Sequence, residues 1–455
     1  MLVIQPERIR QLNDLPLRPD GDYVLYWMQA SQRHVSNHAL EFAVDSANEQ
    51  GLPLVVVFGL TDSYPEANLR HYQFMVEGLR DVDNGLKKRD IPFRIYYGSP
   101  EEVALERAER AAMVVADRGY LRHQKMWRKK VADGAGCPVV QIESDVLVPI
   151  ESASSKEEYA ARTLRPKIHR EMKSFLQHLP QRTLNASPSG IDLPPGLDPH
   201  NPEILQELGL DRTVPGVDEF TGGFTEGARR LKRFLDEKLD KYAEDRNDIT
   251  ASNTTELSPY LHFGQISPLY VVTKLIERGN PGDANVAALI EEMIVRRELA
   301  INFVEWNPEY DSYTSLPEWA RETLDKHRDD EREFVYDVGE FEEGRTHDPY
   351  WNAAMQEMRV RGFMKGYMRM YWGKKVLEWS HSPERAYETL LYLNNKYFLD
   401  GRDPNSYANV AWIFGKHDRP WGERPVYGTV RYMNANGLKR KFDVDGYVEQ
   451  VRNLG

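Results

Sequence analysis

The segment LPLVVVFGL, residues 52–60, is an apolar run of strand length with charged residues on both sides of it. A run without polar alternation is typical of a strand buried on both faces of a parallel sheet. Helix-like segments such as 36–50 and 68–89 separate it from four further β-rich runs: DYVLYWM (22–28), IPFRIYY (91–97), AAMVVAD (111–117) and CPVVQIE (137–143). We therefore predict that residues 1–150 form a doubly wound α/β domain with a mostly parallel sheet.

The strand pattern stops in the second half of the sequence. From residue 224 onward, four long segments repeat apolar residues at i, i+3, i+4 and i+7, which is the periodicity of amphipathic helices. We predict that residues 224–455 form an all-helical domain. Residues 180–223 contain seven prolines and recurrent glycines, so we expect residues 151–223 to be an interdomain linker.

The composition is that of a globular protein of two or three domains: 455 residues, 41% hydrophobic, 29% charged, with a mean hydropathy of −0.62. No apolar run approaches the ~20 residues of a membrane helix, and charges interrupt any signal-like N-terminal segment. We therefore expect a cytoplasmic protein without membrane association. The single cysteine, Cys137, excludes intramolecular disulfides and cysteine-ligated metal sites; no metal is predicted.

Charge distribution bears on nucleic-acid binding. The net charge of −12 argues against general affinity for DNA, because phosphate binding depends on Lys and Arg. Segment 416–441 differs, with seven basic residues against two acidic ones; it is either a local basic patch or an ordinary solvated surface. No glycine-rich dinucleotide fingerprint follows a strand and no P-loop motif occurs, so neither type of nucleotide site is supported.

Three stretches of the helical half contain unusual concentrations of functional groups. TTELSPYLHFGQIS (254–267) places hydroxyls and backbone N–H groups at a predicted helix start. This segment is either an anion-binding site or an ordinary capped helix. LNNKYFLDGRDPNSYANVAW (393–412) contains a polar loop between helices. Trp372 and Trp379 are seven residues apart, close to two helical turns, so their indoles share one face. With Trp351 they are either core anchors or redox-active rings.

The sequence resembles the photolyase/cryptochrome flavoproteins, and among them the class II cyclobutane pyrimidine dimer (CPD) photolyases. The matching stretches occur in the family's order over nearly the whole chain: VLYWMQASQRHVSNHAL, YAEDRND, LSPYLHFGQIS, HDPYWNAAM, GYMRMYWGKKVLEW, LDGRDPNSYANVAW and HDRPWGERPVYGTVRYM. The resemblance implies the photolyase fold, FAD held in the helical domain, and light-driven splitting of a pyrimidine dimer flipped out of UV-damaged DNA.

The resemblance also implies individual contacts to FAD. Arg369 and Asp400 would pair beside the flavin ring and stabilise the anionic reduced form, FADH−, which donates the electron. Asn394 would face the ring nitrogen N5. The remaining expected contacts are to the ring from Gly401 and Arg402, and to the diphosphate and ribityl side from Tyr242, Thr254, Thr255, Glu256, Leu257 and Ser258.

Contacts to the damaged DNA are implied in the same way. Glu292 would reach the carbonyl oxygens of the dimer as an acid kept protonated by burial, whereas its neighbour Glu291 is expected to be solvated. Trp412 would stack on the flipped dimer, and Arg419, Trp421 and Arg431 would occupy the gap that it leaves and contact phosphates. The sequence departs from the family at VRRE, where Arg296 stands in or beside a tryptophan position.

For the three helical tryptophans, the resemblance implies an electron relay as well as a packing role. Trp372 would lie next to the flavin, Trp351 would be the second ring of the relay, and Trp379 would lie toward the surface. Indole is readily oxidised, so closely spaced rings can reduce a photoexcited flavin. We therefore assign both roles to these residues.

Alternatives remain at this stage. A cryptochrome-like blue-light receptor has the same FAD fold, but such receptors usually carry a C-terminal extension, whereas this sequence ends at Gly455, and Glu292 and Trp412 favour repair. An enzyme for the (6-4) photoproduct commonly uses active-site histidines, which VRRELA and LNNKYF lack. The sequence leaves open whether the α/β domain binds an antenna chromophore, either a deazaflavin or a folate. We expect a monomer.

Overall fold

A computed structural model describes residues 4–454. The N-terminal half contains a sheet in the order β1-β6-β5-β2-β3-β4, in which only β1 runs antiparallel to its neighbour. Its strands are β1 (Ile9–Gln11), β2 (Tyr23–Trp27), β3 (Leu54–Leu60), β4 (Phe93–Tyr97), β5 (Ala111–Asp117) and β6 (Val139–Ile142). The five predicted runs are confirmed as strands. The short, polar β1 was not predicted, because a three-residue strand has no detectable period.

Both faces of this sheet are covered by helices. Val24 and Val56 belong to the core on one face, whereas Leu25 and Val57 belong to the core on the other, although all four lie on the paired central strands. This double burial explains the continuous apolar runs. The covering helices are α1 (His38–Gln50), α2 (Leu69–Lys87), α3 (Pro100–Ala108) and α4 (Arg122–Gly134). The predicted doubly wound, mostly parallel architecture is confirmed.

The segment expected to be a linker is partly helical. Helices α5 (Ile150–Ala153) and α6 (Ala161–Phe175) lie at its start, and Leu164 and Ile168 of α6 are buried against the core of the helical half. Residues 176–223 contain no helix or strand, and they carry the prolines and glycines that motivated the linker prediction. Proline and glycine content therefore indicates the irregular part but not the helical beginning.

The rest of the described chain, from Phe224 to residue 454, is helical, as predicted from the 3.6-residue periodicity. Its helices are α7 (Phe224–Glu237), α8 (Tyr242–Asp245), α9 (Ser258–His262), α10 (Pro268–Arg278), α11 (Ala284–Ile290), α12 (Arg297–Trp306), α13 (Glu318–Lys326), α14 (Val338–Glu343), α15 (Pro349–Arg361), α16 (Gly366–Trp379), α17 (Pro383–Tyr397), α18 (Pro404–Ile413), α19 (Ala435–Lys441) and α20 (Val444–Arg452), with a π-helical turn Glu291–Arg296 between α11 and α12. Within residues 4–454, no helix has the length and apolar character needed to cross a bilayer.

Buried ionisable side chains join the two halves. Arg33 is fully buried; one of its guanidinium nitrogens lies 2.6 Å from Asp145 and also donates to the carbonyl oxygen of Gly264 in the helical half at 2.8 Å. In the opposite direction, Glu298 of α12 accepts a 2.6 Å hydrogen bond from the backbone N–H of Leu147. Because an unpaired charge here would be costly, these contacts fix how the halves meet.

Glu298 makes the stability of this junction depend on pH. Burial raises the pKa of its carboxyl from 4.5 to about 8, against the lowering effect of the Leu147 N–H. Because the folded pKa is raised, the folded protein holds a proton that the unfolded chain has already released between these two values. We therefore expect the free energy of unfolding to fall as pH rises from about 4.5 to about 8.

The variant Glu298→Gln keeps an acceptor oxygen but cannot titrate. Denaturant unfolding across this pH range should give it a flatter pH profile than the parent protein, with the exposed substitution Glu237→Gln as the matched control. Identical pH profiles for the parent protein and Glu298→Gln would contradict this expectation.

Candidate active site and nucleic-acid surface

An ion pair between Arg369 and Asp400 joins α16 to the loop after α17. Nη2 of Arg369 lies 3.1 Å from both carboxylate oxygens of Asp400, and its Nε donates to the carbonyl oxygen of Met364 at 2.9 Å. The guanidinium carbon lies 3.8 Å from the centre of the Phe398 ring. Both charged side chains are mostly buried, with exposures of 22% and 11%. The pair expected from the resemblance is therefore present, with its charges held in one geometry.

Backbone contacts hold the loop that carries Asp400. The imidazole of His71, from α2, contacts the carbonyl oxygen of Phe398 through Nε2 at 3.1 Å. Next to Asp400, a Cβ atom at Gly401 would lie 2.9 Å from the carbonyl oxygens of Asn394 and Phe398. Only glycine fits this close approach, so Gly401 shapes the loop through its missing side chain.

Asn394 and Arg402 flank this loop with different surroundings. Asn394 is buried, and within residues 4–454 its side chain makes one hydrogen bond, from Nδ2 to Asn395 at 3.0 Å. The Arg402 guanidinium donates to the carbonyl oxygen of Asn395 at 3.0 Å and approaches His262, in the wall of a cavity between the two halves. The flavin-ring contact that the resemblance implies for Arg402 stays a prediction.

The predicted helix start near residue 258 is present. Segment 254–258 leads into α9, whose first residue is Ser258. Glu256 has a positive φ of 55°, and its carboxylate lies 2.8 Å from Arg230. Tyr242 is buried at the start of α8, and burial raises the pKa of its phenol. The hydroxyl groups in 254–258 belong to partly exposed residues, so they are accessible to a ligand.

Glu292 lies in the π-helical turn, a feature often found at functional sites. Its carboxylate lies 2.5 Å from Arg246, and its side chain is 40% exposed. The expected contact of Glu292 with the dimer, as an acid kept protonated by burial, stays a prediction. Glu291, which was expected to be solvated, is partly exposed and accepts hydrogen bonds from Arg165 at 2.7 Å and Arg296 at 2.9 Å.

The three tryptophans form a continuous series of buried rings. The ring centres of Trp372 and Trp351 are 6.5 Å apart and nearly parallel, and those of Trp351 and Trp379 are 6.2 Å apart. Nε1 of Trp351 donates to the carbonyl oxygen of Trp372 at 2.9 Å, whereas Nε1 of Trp372 is buried without an acceptor among residues 4–454. The seven-residue spacing places the two indoles of α16 on one face, and the packing of α15 against that face puts the Trp351 ring between them.

The ends of this series have different environments. At the inner end, the ring of Trp372 lies 6.3 Å from that of Phe398, which the Arg369 guanidinium covers. At the outer end, Trp379 contacts the rings of Tyr336 and the exposed His347 at 5.8 and 4.8 Å. The series thus runs from the Arg369–Asp400 pair to the protein surface.

A cluster of one aromatic and two cationic side chains stands on the surface after α18. Trp421 is 41% exposed, and the guanidinium carbons of Arg419 and Arg431 lie 5.5 and 5.0 Å from its ring centre. Its backbone N–H donates to the carbonyl oxygen of Thr429 at 2.8 Å, which closes the loop. We call Arg419, Trp421 and Arg431 the Trp421 cluster. An exposed indole between cations fits a nucleic-acid contact better than a core position.

Two further residues of this region are less exposed than a simple basic surface patch would require. Trp412, one residue before the end of α18, is only partly exposed. Lys416 is buried, pairs with Glu157 and donates to the carbonyl oxygen of Ser315 at 2.9 Å. It therefore supplies no surface charge, and the basic segment is less accessible than its composition suggests.

Sequence reasoning missed Arg246 as the partner of Glu292. Arg246 lies within the quoted stretch YAEDRND, but 46 residues separate it from Glu292, and no spacing rule connects the two. The missed contact matters because it places a guanidinium beside the carboxylate that is expected to reach the dimer.

The comparisons with known proteins agree with this geometry. Residues 24–185 match the family model described as DNA photolyase. The chain is 50% identical over 453 residues to the deoxyribodipyrimidine photo-lyase of Methanothermobacter thermautotrophicus, with 99% of both chains covered. It is 38% identical to the protein of the same name from Potorous tridactylus, covering 98% of this chain and 84% of that protein. The chain belongs to the DNA photolyase family.

Solved structures place this photolyase in the predicted fold. A class III photolyase from Agrobacterium tumefaciens superposes with a TM-score of 0.72 at 20% identity, covering 95% of this chain and 86% of that chain. An archaeal photolyase from Sulfolobus tokodaii, solved with two FAD molecules, gives a TM-score of 0.70 at 17% identity, covering 94% and 89%. The photolyase fold and family predicted from the sequence are confirmed, and the family implies FAD binding.

The two inner tryptophans of this photolyase should differ in their contribution to stability. Trp372→Phe removes ring area but no hydrogen bond, so it should cost on the order of 1–3 kcal/mol. Trp351→Phe also removes the bond from Nε1 to the Trp372 carbonyl oxygen, which adds about 1 kcal/mol. Denaturant unfolding of both variants tests this difference, with the exposed Trp421→Phe as the control that changes little. A smaller loss for Trp351→Phe would contradict the assignment.

Proposed function

We propose that this chain is a light-driven DNA-repair lyase that splits cyclobutane pyrimidine dimers in UV-damaged DNA. The observation that carries the proposal is 50% identity over 99% of the chain to a protein named deoxyribodipyrimidine photo-lyase. The more distant mouse cryptochrome-1 is 22% identical over 76% of this chain, so the comparisons favour the repair branch. When bound, FAD in its reduced form FADH− supplies the electron that starts the splitting.

The residues around the Arg369–Asp400 pair fit a flavin ring. A buried guanidinium held by one carboxylate offers a fixed positive charge to an anionic reduced ring. Asn394 adds an amide that can donate or accept as the ring changes its protonation. The buried Nε1 of Trp372 has no acceptor among residues 4–454, which is expected for a site completed by a ligand.

The hydroxyl-rich segment fits the other end of FAD. Segment 254–258, which comprises Thr254, Thr255, Glu256, Leu257 and Ser258, offers backbone N–H groups and hydroxyls to the diphosphate. Next to it, Oδ1 of Asn253 is buried without a donor among residues 4–454, and the ribityl chain supplies hydroxyl donors. Tyr242 and Arg246 close this side.

We also propose an antenna chromophore in the cavity between the two halves. Trp27, Thr61 and Arg118, at the carboxyl ends of β2, β3 and β5, line it together with Tyr64 and Trp127. In doubly wound sheets, ligands bind at this edge where the strand order reverses, here between β2 and β5. The aromatic lining with a few polar groups suits a planar deazaflavin or folate ring.

The absorption spectrum of the purified protein tests both cofactor assignments. We expect flavin bands at about one FAD per chain and a second near-UV or violet band. Asp400→Asn should lower the flavin content, because it leaves Arg369 buried without a charged partner, but should leave the second band. Ala67→Trp, which fills the interdomain cavity, should remove the second band and leave the flavin content unchanged. Each variant is therefore the control for the other. Full flavin retention in Asp400→Asn would contradict the placement.

The DNA contacts remain proposals and are supported by the surface geometry. The Trp421 cluster combines an exposed ring, which can fill the gap left by a flipped dimer, with cations for phosphates. The partly exposed Trp412 is available for stacking on the dimer. Glu292 stays the proposed contact to the dimer carbonyls, and the guanidinium of Arg246, which pairs with it, supplies N–H donors for the same oxygens.

The tryptophan series supports a second light-driven process, the reduction of oxidised flavin. Its ring centres are 6.5 and 6.2 Å apart, and the outer end reaches the exposed His347. Electrons can therefore pass in short steps from the surface to the ring site through Trp379, Trp351 and Trp372. Repair itself uses an electron already on the reduced cofactor, so it does not depend on this route.

The variant Trp372→Phe separates these two processes. Phenylalanine keeps most of the packing but cannot be oxidised, so light-driven reduction of oxidised flavin should be severely slowed. Once reduced chemically with dithionite, the variant should split dimers in irradiated oligonucleotides nearly as well as the parent protein. Trp306→Phe, outside the series, is the matched control.

Three outcomes would contradict this scheme. Absence of light-dependent dimer splitting in the parent protein would refute the proposed function. Normal photoreduction in Trp372→Phe would mean that electrons enter by another route. Loss of repair with the flavin already reduced would mean that Trp372 shapes the dimer site itself.

A further inference from the structure

A buried lysine of α16 holds the end of α18. Lys374 is 2% exposed, and its Nζ donates to the carbonyl oxygen of Ile413, the last residue of α18. Within residues 4–454, Lys374 forms no ion pair: no carboxylate oxygen lies within 4.0 Å of its Nζ. A lysine this buried without a close counter-ion is rare, because the charged group loses its hydration. Among the described residues, its one polar partner is a helix C-terminal carbonyl, where a cation is favoured.

The same short segment of α16 also contacts the loop that carries Trp421. A Cβ atom at Gly373 would lie 2.8 Å from the Ile413 side chain, so the bare backbone allows α18 to approach α16. The hydroxyl of Tyr427 donates to the carbonyl oxygen of Lys374 at 2.7 Å. Residues 373 and 374 therefore anchor both the end of α18 and the loop between α18 and α19.

We propose that Lys374 is a positioning residue for damaged DNA: its ammonium fixes the end of α18, with Trp412, beneath the Trp421 cluster. This inference rests on the proposed DNA binding by those residues. Lys374 itself touches neither the DNA nor the flavin, and acts through the backbone of Ile413.

The charges around Lys374 couple this contact to pH. Burial lowers the pKa of Lys374 to about 7; Asp418 opposes the shift and Arg431 adds to it. The other titratable groups near the contact are Glu378 of the same helix and the phenol of Tyr427, which lie 3.3 Å from each other. Through Asp418 and Arg431, the pKa of Lys374 thus depends on charges in the region where phosphates are expected.

DNA binding should therefore take up a proton. Phosphates beside Arg431 offset its positive charge, which raises the pKa of Lys374 in the complex above its value in the free protein. Between the two values, the complex holds a proton that the free protein lacks. The affinity for damaged DNA should fall as pH rises above about 7, with a limiting slope of about tenfold per pH unit, whereas below about pH 6 Lys374 contributes no pH dependence.

The test compares the FAD-loaded parent protein with Lys374→Met. Dissociation constants for a dimer-containing duplex and its undamaged counterpart are measured from about pH 6 to about pH 9 at fixed salt. We expect Lys374→Met to bind damaged DNA several-fold more weakly at low pH and to lose most of the decline above pH 7. Lys375→Met is the matched control: its amine pairs with Glu378, so the pH profile should stay that of the parent protein.

A measurement on the parent protein alone keeps the inference testable if Lys374→Met does not fold. Calorimetry near pH 7.5 in buffers of different ionisation enthalpy counts the protons taken up on binding. No net uptake would overturn the inference, as would an unchanged pH profile in a folded Lys374→Met. Equal affinity of the parent protein for damaged and undamaged DNA would instead refute the proposed function, so the two failures are distinguishable.

Discussion

The buried guanidinium of Arg70 is the contact on which the geometry of the active site depends. It donates from α2 to the carbonyl oxygens of Met358 at 3.2 Å and Tyr397 at 2.6 Å. These carbonyls lie in the last turns of α15 and α17, where a cation is favoured. One side chain of the α/β half therefore caps two helices of the catalytic half. Burial lowers the pKa of Arg70 to about 10.

The neighbouring residues of α2 extend this cap. Asn68 donates to the carbonyl oxygen of Lys396 at 2.7 Å, and His71 contacts that of Phe398 at 3.1 Å. Nδ1 of His71 accepts from the backbone N–H of Asn68, so Nε2 carries the proton and donates. With Arg70, three side chains thus satisfy the successive carbonyls at the end of α17. Side chains of the sheet domain therefore hold the backbone that leads into the loop of Asp400.

Sequence reasoning was most successful where a feature repeats along the chain. Period and apolar runs predicted five strands and the helical half, and the resemblance predicted the Arg369–Asp400 pair. Contacts between distant segments were missed: Arg246 pairs with Glu292 across 46 residues, and no local pattern reveals this. The same limit applies to Lys374, since nothing in the letters GKK of α16 distinguishes the buried, unpaired Lys374 from the paired Lys375.

Helix α16 also shows how one element separates two tasks. At about 100° per residue, Trp372 and Trp379 differ by about 20° around the axis, whereas Lys374 lies about 160° from Trp372. The tryptophan rings proposed as the electron relay and the anchor of α18 therefore occupy nearly opposite faces of the same helix. A slip of one residue would rotate both faces by about 100° and disrupt them together. The same slip would bring a side chain to the place of Gly373, where a Cβ atom would lie 2.8 Å from Ile413. The proposed electron supply and the proposed dimer positioning therefore depend on the same helix register.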